Sequence, residues 1–337
     1  MILTFGELML RLKSPGKERL LQTPTLETSF GGGEANTASA LRSQGLKAGF
    51  VTALPEGSLG DSALAFLRLR DINTEYVQRL PGRMGLYFLE EGASQRPSKV
   101  IYDREYSALA LADPQVWDWK KILSKARGFH LTGITPALSE KAAASSLHAL
   151  QVAEELGIQR SLDLNYRKNL WKYGKSAPEV MNLLAQHCEV LMANEEDLQK
   201  SLGMESFDAQ DEKSLKDLGE TIHRLFPKVQ FLTITLRTSL GADKNLWEAL
   251  ALIPGTPEIH RSKKYTIEPV VDRVGAGDAF AAGIILGRVK NWGLQETLEY
   301  ATALSCLKHS VPGDQALITP EDVRLLLSGD GTGRVQR

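Results

Sequence analysis

The residues best suited to chemistry lie late in the chain, in Val270-Val271-Asp272-Arg273-Val274-Gly275-Ala276-Gly277-Asp278-Ala279-Phe280-Ala281-Ala282-Gly283. A strand-like apolar run ends near Asp272, a Gly-Ala-Gly turn follows, and an apolar helical pattern continues to Leu286. Glycines let main-chain N–H groups converge without side-chain obstruction. A helix N-terminus adds unpaired N–H donors and the positive end of its dipole. Gly275, Ala276 and Gly277 therefore read as an anion cradle. Asp278 falls in the first helical turn, where the dipole favours a carboxylate, and is expected to stay ionised near neutrality. From there it can take a proton from a hydroxyl while the amides stabilise a phosphoryl group, the division of labour phosphoryl transfer needs. A plain helix cap would use the same residues. Phe280 fills the third glycine position of a dinucleotide-binding Gly-x-Gly-x-x-Gly, and no Gly-x-x-x-x-Gly-Lys-Ser/Thr occurs anywhere.

Three other segments could serve such a site. In Phe30-Gly31-Gly32-Gly33-Glu34-Ala35-Asn36-Thr37-Ala38, Gly32 and Gly33 allow a close backbone approach to a ligand, and Asn36 can donate to and accept from hydroxyls. Asp163-Leu164-Asn165-Tyr166-Arg167 ends a strand pattern, and the planar fork of Arg167 suits a carboxylate or phosphate. Asn194-Glu195-Glu196-Asp197 follows another strand. There Asn194 and Asp197 could hold Mg²⁺ through water, although acidic residues at a helix start are favoured by the dipole alone.

The long pattern Asp272-x-x-Gly275-Ala276-Gly277-Asp278, followed by Ala279-Phe280-x-x-Gly283, resembles the C-terminal signature of the ribokinase-like sugar kinases, the PfkB family. Arg273 stands where Thr is commonest in that family. Gly31-Gly32-x-x-x-Asn36-x-Ala38 resembles the family's N-terminal sugar-contacting motif, and Asn194-x-x-Asp197 its Asn-x-x-Glu, with Asp in place of Glu. Thr235-Leu236-Arg237-Thr238-Ser239-Leu240-Gly241-Ala242 departs further from the family's phosphate-side turn, with its glycine delayed to Gly241 and Arg237 supplying the charge. The resemblance runs from about residue 2 to about 325. It implies in-line transfer of the ATP γ-phosphoryl group to a sugar hydroxyl, with Asp278 as base, the Gly275–Gly277 amides as anion hole and Mg²⁺ on the phosphates. Nucleotide contacts are implied for Asn165, Arg167, Asn194, Thr235, Arg237, Gly241, Gly275 and Gly277. A homo-oligomer is also implied, while dependence on a monovalent cation stays open.

Within the family, Gly6-Glu7-Leu8-Met9-Leu10-Arg11-Leu12, Gly85-Leu86-Tyr87-Phe88-Leu89-Glu90, Val100-Ile101-Tyr102-Asp103-Arg104 and Val311-Pro312-Gly313-Asp314 resemble the branch that phosphorylates 2-keto-3-deoxygluconate. The chemistry is coherent: an acid sugar needs a cation, and Arg104 or Arg167 could pair with its carboxylate. Tyr87 and Tyr102 offer flat faces and hydroxyls to the carbon chain. The substrate-side set is thus Gly32, Gly33, Asn36, Tyr87, Tyr102, Arg104, Arg167, Asp278 and Asp314. Two other readings stand beside it. One is a kinase of a neutral sugar, fructose or ribose; the other is a non-catalytic sugar- or nucleotide-binding protein on the same scaffold. An NAD-dependent dehydrogenase is more distant.

The elements that must position these residues are visible as alternating patterns. Ile2–Phe5, Gly49–Leu54, Gly128–Thr132, Arg160–Leu164, Glu189–Ala193 and Phe231–Leu236 read as strands with helical stretches between them. Ala143, Leu147, Leu150 and Ala153 recur near the helical period, with Gly157 as a stop. Such alternation predicts an α/β fold, a mostly parallel sheet covered on both faces, with ligands beyond the carboxyl ends of the strands. The resemblance makes this a ribokinase-like three-layer sandwich. Leu8–Pro24 reads as a polar loop, and the strand-like pieces Gly85–Leu89 and Lys99–Tyr102 as part of a small projecting sheet. A single kinase domain over 1–337 is expected, with a β lid inserted from about 8–24 and 83–106. Thr319-Pro320-Glu321-Asp322 reads as a helix start, His130 and His309 as structural, Trp117 and Trp119 as a packed loop or strand, and the Gly-rich Ser328–Arg337 as frayed.

Composition limits the alternatives. Forty Lys+Arg against 41 Asp+Glu leave a net charge of −1, so neither nucleic acid nor an anionic membrane is an expected partner. Two cysteines, Cys188 and Cys306, cannot build a disulfide framework, which fits a reducing, cytoplasmic setting. No apolar run approaches the length of a membrane span, and Met1–Gly6 lacks the features of a signal peptide.

Overall fold

The computed structural model describes residues 1–329. In chain order the strands are β1 (Ile2–Phe5), β2 (Met9–Lys13), β3 (Glu27–Gly31), β4 (Ala48–Leu54), β5 (Val77–Arg79), β6 (Gly85–Glu90), β7 (Lys99–Asp103), β8 (Gly128–Thr132), β9 (Gln159–Asp163), β10 (Val190–Ala193), β11 (Phe231–Ser239), β12 (Asn245–Leu252), β13 (Ile259–Arg261) and β14 (Tyr265–Ile267). The helices are α1 (Gly33–Ser43), α2 (Ser58–Leu69), α3 (Ala108–Leu111), α4 (Trp119–Leu123), α5 (Glu140–Glu155), α6 (Ala177–Ala185), α7 (Glu195–Leu202), α8 (Glu212–Leu225), α9 (Ala276–Lys290), α10 (Leu294–Lys308) and α11 (Pro320–Leu327).

Ten strands form one sheet in the order β13-β12-β11-β10-β9-β8-β1-β4-β5, with β14 beside β12. From β11 to β5 every pairing is parallel, and β12 to β14 close one edge antiparallel. All residues of β1 and β4 are buried, as parallel strands covered on both faces must be. Their alternation creates two cores. Leu3, Phe5 and Val51 join Leu150, Leu184 and Leu218 from α5, α6 and α8. Ile2 and Phe50 join Leu41, Leu67, Ile284 and Leu304 from α1, α2, α9 and α10. Burying each such side chain stabilises by roughly 1.5–3 kcal/mol.

Local signals set the helix ends. The Ser139 side chain accepts the Ala142 N–H at the start of α5, and Gly157 turns the chain beyond it with φ 66°. Thr319 and Asp322 form a capping box around Pro320 at the start of α11. His130 and His309 are buried, burial pulling their pKa values down to about 3 and about 4. Trp117 and Trp119 stack on each other and edge onto Phe5, Trp119 opening α4.

A second sheet of four strands, β3-β2-β6-β7, stands apart from the first. Strands β6 and β7 fall where the alternation predicts them. The expected loop at Leu8–Pro24 instead contains β2, which pairs parallel with β6 and antiparallel with β3. Met9 and Arg11 point inward and are buried, but a charged residue at an inward position breaks the apolar alternation that marks a strand. Strand β3, half-exposed and polar, lies outside both segments expected to form this sheet. For the Gly-rich end Ser328–Arg337, the expectation from 330 onward lies outside the described residues. No described helix is long and apolar enough to cross a membrane.

Candidate active site

The carboxyl ends of β1, β8, β9, β10 and β11 and the inner side of the small sheet enclose a cleft of about 770 Å³. The turn into α9 forms its floor. Gly275 has φ 86°, and a Cβ there would lie 2.0 Å from the Asp314 carbonyl oxygen, so only glycine fits both the backbone and the packing. At Gly277 a Cβ would meet nothing within 4 Å, which leaves space in front of the turn. The N–H groups of Gly277 and Asp278 have no acceptor among the described residues. They are the unpaired donors of a helix start, on residues that line the cleft.

Asp278 is 8% exposed on the cleft wall. Asn36 Nδ2 donates to its Oδ2 at 2.7 Å, and a Cβ at Gly33 would lie 3.4 Å from its Oδ1. Burial pushes its pKa up to about 7; the Asn36 bond and Arg167 pull it down, while Asp314 and Glu34 push it further up. The dipole argument alone expects full ionisation near neutrality. Loss of water around a buried carboxylate outweighs it, and the group sits at the midpoint of its titration there. A carboxylate must be ionised to accept a proton, so a rate that depended on its doing so is expected to fall with pH below about 7. Asn36→Ala removes a bond that lowers the pKa and should move that acid limb to higher pH. A pH–rate profile of the two proteins checks both statements.

Asn36, expected to face sugar hydroxyls, is committed at both ends: its Oδ1 accepts Gln315 Nε2 at 2.7 Å and the Gly32 N–H at 3.3 Å. Gly32 is needed for close approach, since a Cβ would lie 2.0 Å from the Glu7 carbonyl oxygen. The nearest group there is the protein's own backbone.

Asp314 and Tyr87 are also engaged. The Tyr87 hydroxyl donates to Asp314 Oδ2 at 2.6 Å, and Arg11 bonds the other oxygen. Arg11 also binds Asp272 at 2.6 Å and is 2% exposed. Tyr102, 38% exposed, lies 6.1 Å from the Tyr87 ring, and both rings line the cleft. Arg104 lines the cleft too, but its Nε donates to Glu7 Oε2 at 2.6 Å and its Nη2 pairs with the same oxygen. As a free cation for a sugar carboxylate it is largely spent.

Arg167, Arg237 and Arg273 differ. All three line the cleft, and none has a carboxylate partner among the described residues. Burial lowers the Arg237 pKa, with Arg273 and Arg167 adding mutual repulsion. Arg167 is partly offset by Asp163, Asp197 and Asp278, while Arg237 and Arg273 have no such carboxylate nearby among the described residues and suit an anionic ligand. Thr235, Asn165 and Asn194 share this wall, whereas Gly241 sits in the turn beyond β11 and off it. Asn194 and Asp197 form the capping box of α7, and both Asp197 oxygens accept main-chain N–H groups, from Tyr166 at 2.8 Å and Asn194 at 3.0 Å.

Arg11, Glu7, Glu34, Asp163 and Arg273 line or support the site and are not among the residues expected from the sequence. Glu34 is buried and accepts from Thr132 and Thr135, burial raising its pKa. Asp163 at the end of β9 is likewise pushed well up by burial, then by Asp197 and Asp278. No local signal marked Arg11, since a charge at an inward strand position reads as loop until its distant partners are known.

A sequence model described as pfkB family carbohydrate kinase matches residues 1–321. The 2-dehydro-3-deoxygalactonokinase of Haloferax volcanii is 31% identical over 332 residues, 98% of this chain and 98% of its own. The 2-dehydro-3-deoxygluconokinase of Thermoproteus tenax is 27% identical over 330 residues, 97% of this chain and 94% of its own. The crystal structure of 2-dehydro-3-deoxygluconokinase from Thermotoga maritima superposes with a TM-score of 0.91 at 42% identity, over 97% of this chain and 99% of that one.

Proposed function

The chain belongs to the pfkB family of carbohydrate kinases, and we propose that it transfers the γ-phosphoryl group of ATP to the terminal hydroxyl of 2-keto-3-deoxygluconate, giving 2-keto-3-deoxy-6-phosphogluconate. The observation that carries this reading is Asp278, buried at the cleft wall beside the unpaired amides of its own helix turn. Its carboxylate takes the hydroxyl proton. The Gly275–Gly277 turn receives the negative phosphoryl oxygens, and the new O–P bond forms as the bond to the β-phosphate breaks. In this reading Arg237 and Arg273, with Thr235, Asn165 and Asn194, take the nucleotide side and Tyr87, Tyr102 and Arg104 the sugar; all of them line the cleft. The small sheet serves as the lid of a single kinase domain.

No group of three His, Cys, Asp or Glu that could hold a metal occurs among the described residues. Mg²⁺ would be carried on the nucleotide phosphates and would offset their charge; Asn194 and Asp197 line the same cleft, but both Asp197 oxygens are taken by main-chain N–H groups, so contact with the ion would have to come through water.

Arg167 is assigned to the sugar carboxylate because Arg104 is paired with Glu7. Arg167→Ala should raise KM for the acid sugar about 10–100-fold, the worth of a charge-assisted hydrogen bond, and change turnover of fructose or ribose little. An equal loss on both sugar types, or a rise in KM for ATP alone, removes the clamp from Arg167. The overall reading is tested by ADP release with a panel of 2-keto-3-deoxygluconate, its C4 epimer, fructose and ribose. The name of the Haloferax volcanii relative favours including the epimer. Preference for a neutral sugar overturns the acid-sugar assignment, and no ADP release with any sugar favours a binding protein.

A further inference from the structure

Lys308, the last residue of α10, is the one lysine among the described residues with no exposed surface. Its Nζ donates to the main-chain oxygens of Asp272 and Val311, at 3.0 Å each. Neither partner is a carboxylate. Burying an ammonium costs several kcal/mol before compensation, and an apolar side chain could fill the same space without that cost. Filling the space does not account for the lysine; its charge on the two carbonyls does. Both carbonyls belong to the segments that hold the phosphoryl-receiving turn. Asp272 precedes Gly275 by three residues, and Val311 precedes Asp314, whose own carbonyl abuts Gly275. Burial lowers the Lys308 pKa, while Asp272, Asp314 and Asp278 pull it back up and Arg11 opposes them.

We infer that Lys308 is a built-in monovalent cation: its ammonium bridges two main-chain oxygens and holds the Gly275–Gly277 turn in the shape that receives the phosphoryl group. Lys308 is a positioning residue, acting through the carbonyls of Asp272 and Val311. The activity then needs no added potassium or ammonium. This rests on the reading of that turn given above.

The test compares wild type, Lys308→Ala and Lys308→Met in tetramethylammonium buffer, then at equal ionic strength with K⁺ or NH₄⁺. Two readouts are taken, melting temperature and ADP release. Wild type should change little in either. Lys308→Ala should lose about 10–100-fold in kcat, the range for supporting residues around a charged site. K⁺ or NH₄⁺ should restore about tenfold or more of that loss and raise its melting temperature. Lys308→Met, whose side chain plugs the space without charge, should show the loss and neither recovery.

Three results would overturn the proposal: stimulation of wild type by K⁺, near-normal turnover of Lys308→Met, or a Lys308→Ala protein indifferent to both ions. The melting readout needs no substrate. If wild type phosphorylates none of the sugars, the reaction assignment fails while the cation-specific melting shift still decides the role of Lys308.

Discussion

Asp278→Asn should fold normally and lose about 10²–10⁴ in turnover, the usual worth of a positioned base. The substitution keeps the size of the side chain and an oxygen to accept the Asn36 bond. It removes the only function an amide cannot perform, taking a proton. The same variant carries a stability signature. The folded-state pKa of about 7 lies above the ordinary value near 3.9. Between those values the folded protein holds a proton that the unfolded chain has lost, so the Asp278 contribution falls as pH rises and is fully lost above about 7. Asn bears no charge and is spared this. The variant should therefore match wild type near pH 4 and exceed it by up to a few kcal/mol at pH 8, since each tenfold change in proton affinity on folding is worth about 1.4 kcal/mol. Denaturant unfolding across pH, alongside kcat, checks both halves. Near-normal turnover would remove Asp278 from the role of base. A gap that does not widen with pH would show that its charge is not the buried burden described.

Arg11→Met should cost about 3–5 kcal/mol of folding stability, the range for a broken buried ion pair. Arg11 reaches from β2 of the small sheet to Asp272 and Asp314, all three buried. Burial works against the charged guanidinium, but Asp314 and Asp272 together hold its pKa up. Without it, two carboxylates face each other with Lys308 alone to offset them. The loss is a large part of the roughly 5–15 kcal/mol that holds a typical domain together. The double variant Arg11→Met, Asp314→Asn should recover part of it, because the uncompensated charge goes with its partner. The Tyr87 hydroxyl is fixed by Asp314, so KM for the sugar should rise more than KM for ATP. A double-mutant cycle in denaturant, with both KM values measured, decides this. Equal stability of Arg11→Met and wild type would show that the cluster does not tie the small sheet to the α9 turn.

The Gly275–Asp278 turn, the central strands and the capping motifs at Thr319 and Asn194 were legible in the chain because each is local. Their physics is contained in a few neighbouring residues: a glycine that alone fits its backbone, a period of apolar side chains, an acceptor placed three residues before a donor. The same locality made the sugar and nucleotide segments recognisable one at a time. What no segment contained was the pairing between them. Arg104 reads as a free cation until Glu7 lies against it, and Asn36 as a sugar contact until Asp278 and Gln315 engage both ends of its amide. Arg11 looks like a loop residue until Asp272 and Asp314, 261 and 303 positions away, close around it. The ionisation of Asp278 shifted for the same reason. A helix dipole can be read from the sequence, but the loss of water around a carboxylate exists only after distant elements pack over it, and in a buried site that loss dominates.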